Sequence, residues 1–432
     1  MTIEKQQEWE RRIEEAVLNE LDFSEEIEDE VVYRFIDNAI ARCSKEQYLS
    51  LEEKLVIRTG VFQSMRQYDV LTPLLQQEDI TEIMINGYNR IYAEQNGVIS
   101  RLPLSFRSEE KYLSMIQQIV AGTNRVVNES SPIVDARLKD GSRVNVVLSP
   151  ISLDGAAMTI RKFPKEPLDM QCLIDRQSLG EEHARLLKYL VRSGYNIIIS
   201  GGTGSGKTTF LNALSDFIPK EERIITIEDA AELQLKGIDN LVRMEVRNAN
   251  VEGRLAVPMK QLIKASLRMR PDRIIVGEVR GEEALDMLQA LNTGHDGSIS
   301  TGHANSARDM LTRLETMVLM GIDMPMTALR GQLASAIEII VHLGRLRDYS
   351  RRVLEIVEVL DMENGEIKCQ SLFQFVEKEE ASLEVREETE YMHLPVQGQL
   401  YPKNTLMQSK KLKEAGYYER FVALMEELEK QT

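Results

Sequence analysis

The run Gly201-Gly202-Thr203-Gly204-Ser205-Gly206-Lys207-Thr208 satisfies the pattern G-x4-G-K-[ST]. Glycines let a backbone wrap closely around phosphate oxygens, with its amide hydrogens turned inward at the start of a helix. In that setting Lys207 reaches the β- and γ-phosphates of ATP, and the Thr208 hydroxyl ligates Mg²⁺. Gly202, Thr203, Gly204, Ser205, Gly206, Lys207, Thr208 and Thr209 are therefore the candidate nucleotide-binding residues. Apolar Ile197-Ile198-Ile199 precedes the loop and Phe210-Leu211-Asn212-Ala213-Leu214 follows it, which is the strand–loop–helix context the motif requires.

Carboxylates at strand ends supply the second half of such a site. Arg273-Ile274-Ile275-Val276-Gly277-Glu278 reads as a buried strand that delivers an acid at its carboxyl end, where open α/β sheets bind ligands. Gly277 stands where an aspartate is usual, so Glu278 is the carboxylate left to polarise water or to hold Mg²⁺. A third strand, Ile224–Ile227, ends in Glu228-Asp229, and periodicity leaves open which of the two faces the γ-phosphate.

The elements that must hold these groups follow from patterning. Trp9, Ile13, Val17 and Leu21 recur every four residues, and Val31, Phe35, Ile36 and Ile40 form a second stripe, so the chain up to Arg66 reads as helices. Between Asp69 and Phe163, Ile83–Ile85 and Ile91–Ala93 flank a turn at Asn86-Gly87-Tyr88-Asn89. Asp140-Gly141 marks a hairpin between Val134–Leu138 and Arg143–Val147, and Tyr112, Met115, Ile116 and Ile119 mark a helix. Pro164 and Pro167 read as a linker. Helices then alternate with β-rich runs at Asn196–Ser200, Ile224–Glu228, Arg273–Gly277 and Ile339–Leu343, which favours a mostly parallel sheet covered on both faces. The expected divisions are a helical region (1–66), a smaller α/β domain (67–163), the nucleotide domain (164–360) and a tail (361–432). That tail has a charged stretch, Glu377–Glu390, and a terminal helix carrying Phe421, Leu424, Met425 and Leu428.

Composition narrows the class. A length of 432 residues exceeds one compact core, and a net charge of -16 opposes general affinity for nucleic acid, so no direct nucleic-acid partner is expected. Cys43, Cys172 and Cys369 are isolated and suit a reducing compartment. The first thirty residues are too charged for a secretory leader, and the apolar runs are shorter than the roughly 20 residues that span a bilayer. A cytoplasmic protein, peripheral at the inner face of the cell membrane, is the expectation.

The ordered set of motifs resembles the ATPase superfamily of type II and type IV secretion systems, and most closely the CpaF/TadA-type ATPases of Flp (tight-adherence) pili. It runs from about Asp69 to Leu360 and comprises Ile80–Gly87, Asp135–Asn145, the P-loop, Ile227–Leu233, Arg270–Gly281, and Thr293–Gly297 with Thr301–Asn305. The resemblance implies an α/β fold with a RecA-like P-loop NTPase core, a smaller α/β N-terminal domain and a helical N-terminal region. It implies that Glu228 is the active acid of an acidic box, that Gly277-Glu278 is the family's own strand-end variant, and that His303 senses the γ-phosphate while His295 is structural. Position 302 is Gly where relatives often carry leucine.

Arg137, Arg143 and Arg161 resemble arginines that the family presents to nucleotide, where a guanidinium can pair with phosphate oxygens. Whether Arg137 and Arg143 share a face depends on the turn: a three-residue loop puts them together, a two-residue loop apart. The paired CxxC zinc element of the pilus-extension branch is missing, which disfavours that branch. The implied assembly is a homo-hexamer that works on an inner-membrane platform protein, with hinge motion near Phe163–Leu168. Type IV secretion of DNA or protein is the nearest alternative. A nucleic-acid motor, or an ATP-sensing scaffold without turnover, are readings from other classes.

Overall fold

A computed structural model of the chain describes residues 3–20, 28–45, 48–66, 68–95, 97–123, 125–163, 167–247, 256–378 and 395–430. The chain divides into two compact units, Met1–Lys165 and Glu166–Thr432. Pro164 to Glu166 of the expected linker, and the charged stretch from 379 to 390, lie outside the described residues.

In the first unit, α1 (Ile3–Leu18), α2 (Asp29–Cys43) and α3 (Leu51–Arg66) pack around Trp9, Ile13, Val17, Val32, Ile36, Ile40, Ile57 and Val61. The second stripe centres on Val32 rather than Val31, and Leu21 lies outside the described residues. Next come α4 (Thr72–Gln76), β1 (Ile80–Asn86), β2 (Ile91–Gln95), β3 (Val98–Arg101) and α5 (Glu109–Ala121). The strands β4 (Ile133–Arg137), β5 (Arg143–Val147) and β6 (Ala157–Arg161) complete an antiparallel sheet in the order β3-β2-β1-β6-β5-β4. Alternation along β1 and β6 buries Ile83, Ile85, Met158 and Ile160 against Tyr112, Met115, Ile116 and Ile119 of α5. Charges fasten the helices to this layer. Arg107 donates to Glu10 and Glu14, and Lys111 Nζ reaches Glu14 Oε1 at 2.7 Å.

The second unit opens with α6 (Met170–Asp175), α7 (Glu181–Arg192), β7 (Ile197–Gly201), α8 (Lys207–Ser215), β8 (Ile224–Glu228) and β9 (Leu241–Glu245). It continues with α9 (Met259–Ser266), β10 (Arg273–Val276), α10 (Glu283–Leu291), β11 (Ile299–Gly302), α11 (Ala307–Gly321), α12 (Met326–Ala336) and β12 (Ile339–Arg345). Strands β12, β7, β11, β10, β8 and β9 lie side by side and parallel. Successive residues of a strand face opposite ways, so Ile197 and Ile199 enter one core with Leu187, Leu211 and Leu214. Ile198 enters the other with Leu288, Leu314 and Leu333.

Beyond Asp361 the structure differs from the expected tail. β13 (Arg351–Glu363), β14 (Glu366–Glu377) and β15 (Gly398–Pro402) extend the same sheet antiparallel from β12. Asn364 and Gly365, both at positive φ, make the β13–β14 turn. The short α13 (Lys410–Glu414) and then α14 (Tyr418–Lys430) follow, and α14 buries Phe421, Leu424, Met425 and Leu428 as its stripe demands.

Arg273, at the amino end of β10 and 3% exposed, anchors the edge opposite the phosphate loop. Its guanidinium pairs with both oxygens of Glu222 and donates to Val191 O at 2.7 Å and Gly297 O at 3.3 Å. Arg273→Leu strands a partly buried carboxylate and two carbonyls, so a loss of about 3 kcal/mol is expected. Chemical denaturation measures it, and a loss below about 1 kcal/mol would show the network contributes little.

Candidate functional site

The phosphate loop is shaped by its glycines. Gly204 and Gly206 adopt φ of +71° and +91°, a region that side chains disfavour. Gly201 lies against β12 so closely that a Cβ there would sit 2.5 Å from Leu343 O. At Gly202 and Gly204 a Cβ would meet nothing within 4 Å, so that side of the loop is open. Ser205 is buried and donates to Gly202 O at 2.9 Å, Thr203 is exposed, and Thr208 and Thr209 are half-buried in the first turn of α8. Lys207 Nζ donates to Gly201 O at 3.1 Å and Gly202 O at 2.9 Å, and stands 3.3 Å from His303 Nδ1.

Sheet order brings the other groups alongside. Along the carboxyl edge, the P-loop follows β7, His303 follows β11, Glu278 lies just beyond β10, and Glu228 ends β8; these four strands are consecutive neighbours. His303 Nε2 is 2.8 Å from Glu278 Oε1, a close contact that makes no hydrogen bond. Arg280 donates to the other oxygen, Glu278 Oε2, and its Nη1 is 3.8 Å from Asp229 Oδ2. Lys207, His303 and Glu278 thus form one line. Burial and the Lys207 charge lower the pKa of His303, against the pull of Glu278, which favours a neutral ring.

Of the two acids at the β8 tip, Glu228 is buried and Asp229 is exposed. Glu228 Oε2 accepts from the amides of Glu232 at 2.8 Å and Leu233 at 2.9 Å, while Oε1 is buried without a hydrogen bond. Burial pushes its pKa up to about 7 even though both amides favour the charged form. Gly277 explains the absent strand-end aspartate in steric terms. A Cβ at 277 would lie 2.9 Å from Glu228 Cγ, so a side chain there would displace Glu228.

In the first unit, Arg137, Arg143 and Arg161 are successive cross-strand partners on β4, β5 and β6. Partners directly opposite share a face, which settles the facing of Arg137 and Arg143. The turn is the three-residue kind: Leu138 N donates to Ser142 O at 2.9 Å around Lys139-Asp140-Gly141. Arg137 Nε donates to Gly141 O at 3.0 Å and its guanidinium lies 6.0 Å from the Phe163 ring. Glu82 and Glu94 continue the row, on β1 and β2.

Sequence reasoning missed several residues here. Arg351 Nε donates to Gly204 O at 2.8 Å, Thr301 Oγ1 donates to Gly277 O at 2.7 Å, and His342 pairs with Ser200 behind the loop. Thr301 opens a motif segment already singled out, though not for this role, whereas only long-range pairing brings Arg351 and His342 to the site, so no local signal marked them. His295 caps the end of α10, 3.1 Å from Ala290 O.

A magnesium–nucleotide fits this chemistry. The open glycine cradle and Lys207 suit phosphates, and Glu228 Oε1, buried without a hydrogen bond, suits water or a hydrated cation.

Residues 65–395 match the family described as Type II/IV secretion system protein. The chain belongs to that family. Among its relatives, the type IV secretion system protein PtlH of Bordetella pertussis is 35% identical over 66% of this chain and 92% of its own length. The conjugal transfer protein TrbB of Rhizobium radiobacter is 31% identical over 72% of this chain and 93% of its own. The solved structure of the ATPase DotB of Yersinia pseudotuberculosis is 19% identical, with a TM-score of 0.50, over 69% of this chain and 79% of that one, a likeness of fold. The expected α/β fold with a RecA-like core is borne out, and so is the expected class, a protein of type II/IV secretion systems. Among the described residues, no helix of this secretion-family chain is long and apolar enough to cross a membrane.

The raised pKa of Glu228 carries a sign. Folding favours its protonated form, so the associated stability is full below the ordinary value of 4.5 and is lost as pH rises through about 7. Glu228→Gln removes that penalty. It should raise the thermal midpoint at pH 8.5, by an amount corresponding to at most about 3 kcal/mol, and change little at pH 5. A shift independent of pH would show that this carboxyl titrates normally.

Proposed function

We propose that this chain is the ATP-hydrolysing motor of a pilus-assembly or secretion machine, of the CpaF/TadA type that serves Flp pili. The observation that carries the reading is the line Lys207–His303–Glu278 at the carboxyl ends of adjacent strands, beside an open phosphate loop. In this reading Gly202 to Thr209 cradle ATP, Lys207 draws the terminal phosphates, and Thr208 and Glu278 hold Mg²⁺. The cation supplies charge neutralisation at the phosphates. Glu278 orients the attacking water, Glu228 assists from the neighbouring strand tip, and His303 reads the presence of the γ-phosphate.

Arg137, Arg143 and Arg161 stand in one row, continued by Glu82 and Glu94, and planar guanidinium groups can pair with phosphate oxygens. They would supply the phosphate contacts that make domain closure depend on ATP, a two-state movement passed on as mechanical work. The assembly proposed is a homo-hexamer, peripheral at the cytoplasmic face of the membrane, acting on an inner-membrane platform protein. A second reading, a type IV secretion ATPase that translocates DNA or protein, is favoured by the likeness to PtlH and TrbB.

Glu278→Gln should keep ATP binding and abolish turnover, whereas Lys207→Ala should lose both. Unchanged hydrolysis in Glu278→Gln would remove that residue from the chemistry. Light scattering with a non-hydrolysable ATP analogue should give six chains per particle, and a monomer would sink the ring. Stimulation of turnover by DNA at moderate salt would favour the translocation reading.

A further inference from the structure

One residue before the phosphate loop, the buried sheet is polar. Ser200 of β7 is flanked by His342 of β12 and Gly302 of β11 as direct Cα partners. Ser200 is wholly buried and His342 is 7% exposed. His342 Nδ1 lies 3.0 Å from Ser200 Oγ, and the same hydroxyl is 3.4 Å from the carbonyl of Ser306. The imidazole also hydrogen-bonds the backbone of Asn305, and Asp309 and Lys207 are the charged side chains that face it. His342 and Ser200 therefore grip the backbone two and three residues beyond His303.

The gripped segment is also seated by Ala304 and Ala307, which are buried in the core, but neither side chain can make a polar contact. Gly302 has no side chain, and Met310 of α11 fills the space where its Cβ would be, 2.4 Å from the Met310 Cε. Ser306 begins α11, its Oγ accepting from the amide of Asp309 at 3.0 Å. Between these points His303 stands with Nδ1 3.3 Å from Lys207 Nζ and Nε2 2.8 Å from Glu278 Oε1. A polar ring buried in an otherwise apolar strand is costly unless its bonds are made, and here they are made to the site's own backbone.

We propose that His342, acting with Ser200, is a positioning residue that fixes the His303–Ser306 segment against the P-loop strand. It touches no phosphate. It sets the geometry in which His303 bridges Lys207 and Glu278, so its loss affects the rate of the chemical step more than nucleotide capture. This inference rests on the ATPase reading above.

The test compares steady-state hydrolysis with binding of a fluorescent ATP analogue, using the full chain. His342→Leu should lower kcat about tenfold with KM and analogue Kd within about twofold of wild type. Ser200→Ala should lower kcat about threefold in the same way. His342→Gln, whose amide keeps one donor and one acceptor, should recover kcat to within about twofold. Lys207→Ala separates the two layers: if it binds the analogue like wild type, the nucleotide-site reading itself fails. With that control lost as expected, wild-type kcat in His342→Leu overturns the positioning role. So does a His342→Gln variant as slow as the leucine one. Should His342→Leu fail to fold, Ser200→Ala decides alone, and an unchanged kcat refutes the proposal.

Discussion

Steric room at the carboxyl edge of the parallel sheet governs this molecule. Four neighbouring strands each end in a group of the site, and side chains on the intervening residues would crowd them. The chain meets this by omission. Gly201 lies against the β12 backbone, and Gly277 leaves the space that the Glu228 side chain takes. The missing strand-end aspartate is thus a consequence of where the other acid sits.

Everything beneath that edge serves to hold strand tips in register. Isoleucines shared between two cores pack β7, β8, β10 and β12 on both faces, and Arg273 ties the far edge to Glu222, α7 and the turn before β11. Some of the polar groups inside hold backbone. Glu228 binds two amides of its own following turn, and Ser200 with His342 binds the segment after β11. The same carboxylate therefore shapes its loop and keeps one oxygen bare, which couples local folding to the electrostatics of the site.

Much of this was readable from sequence because it is local. The phosphate loop, the acids at strand tips and the stripes of α5 and α14 are patterns spanning a few residues, and the structure contains them as elements. What escaped was decided by pairing at long range. β11, with two polar residues in four, does not look like a central strand, yet burial on both sides makes it one. β13 and β14 carry enough charge to pass for a solvated tail, although Asn364-Gly365 between them is a strong hairpin signal. Arg351 and His342 reach the site through that hairpin and β12, so no spacing within either segment could announce them. The facing of Arg137 and Arg143 turned on a single turn residue, which periodicity does not count.

Gly302 and Met310 occupy one volume between them. A branched residue at the first position would evict the thioether at the second, so the two identities are not independent choices. A chain with leucine at 302 must swing the flexible end of Met310 aside or carry a shorter residue there, so the packing of α11 on β11 records which residue stands at 302.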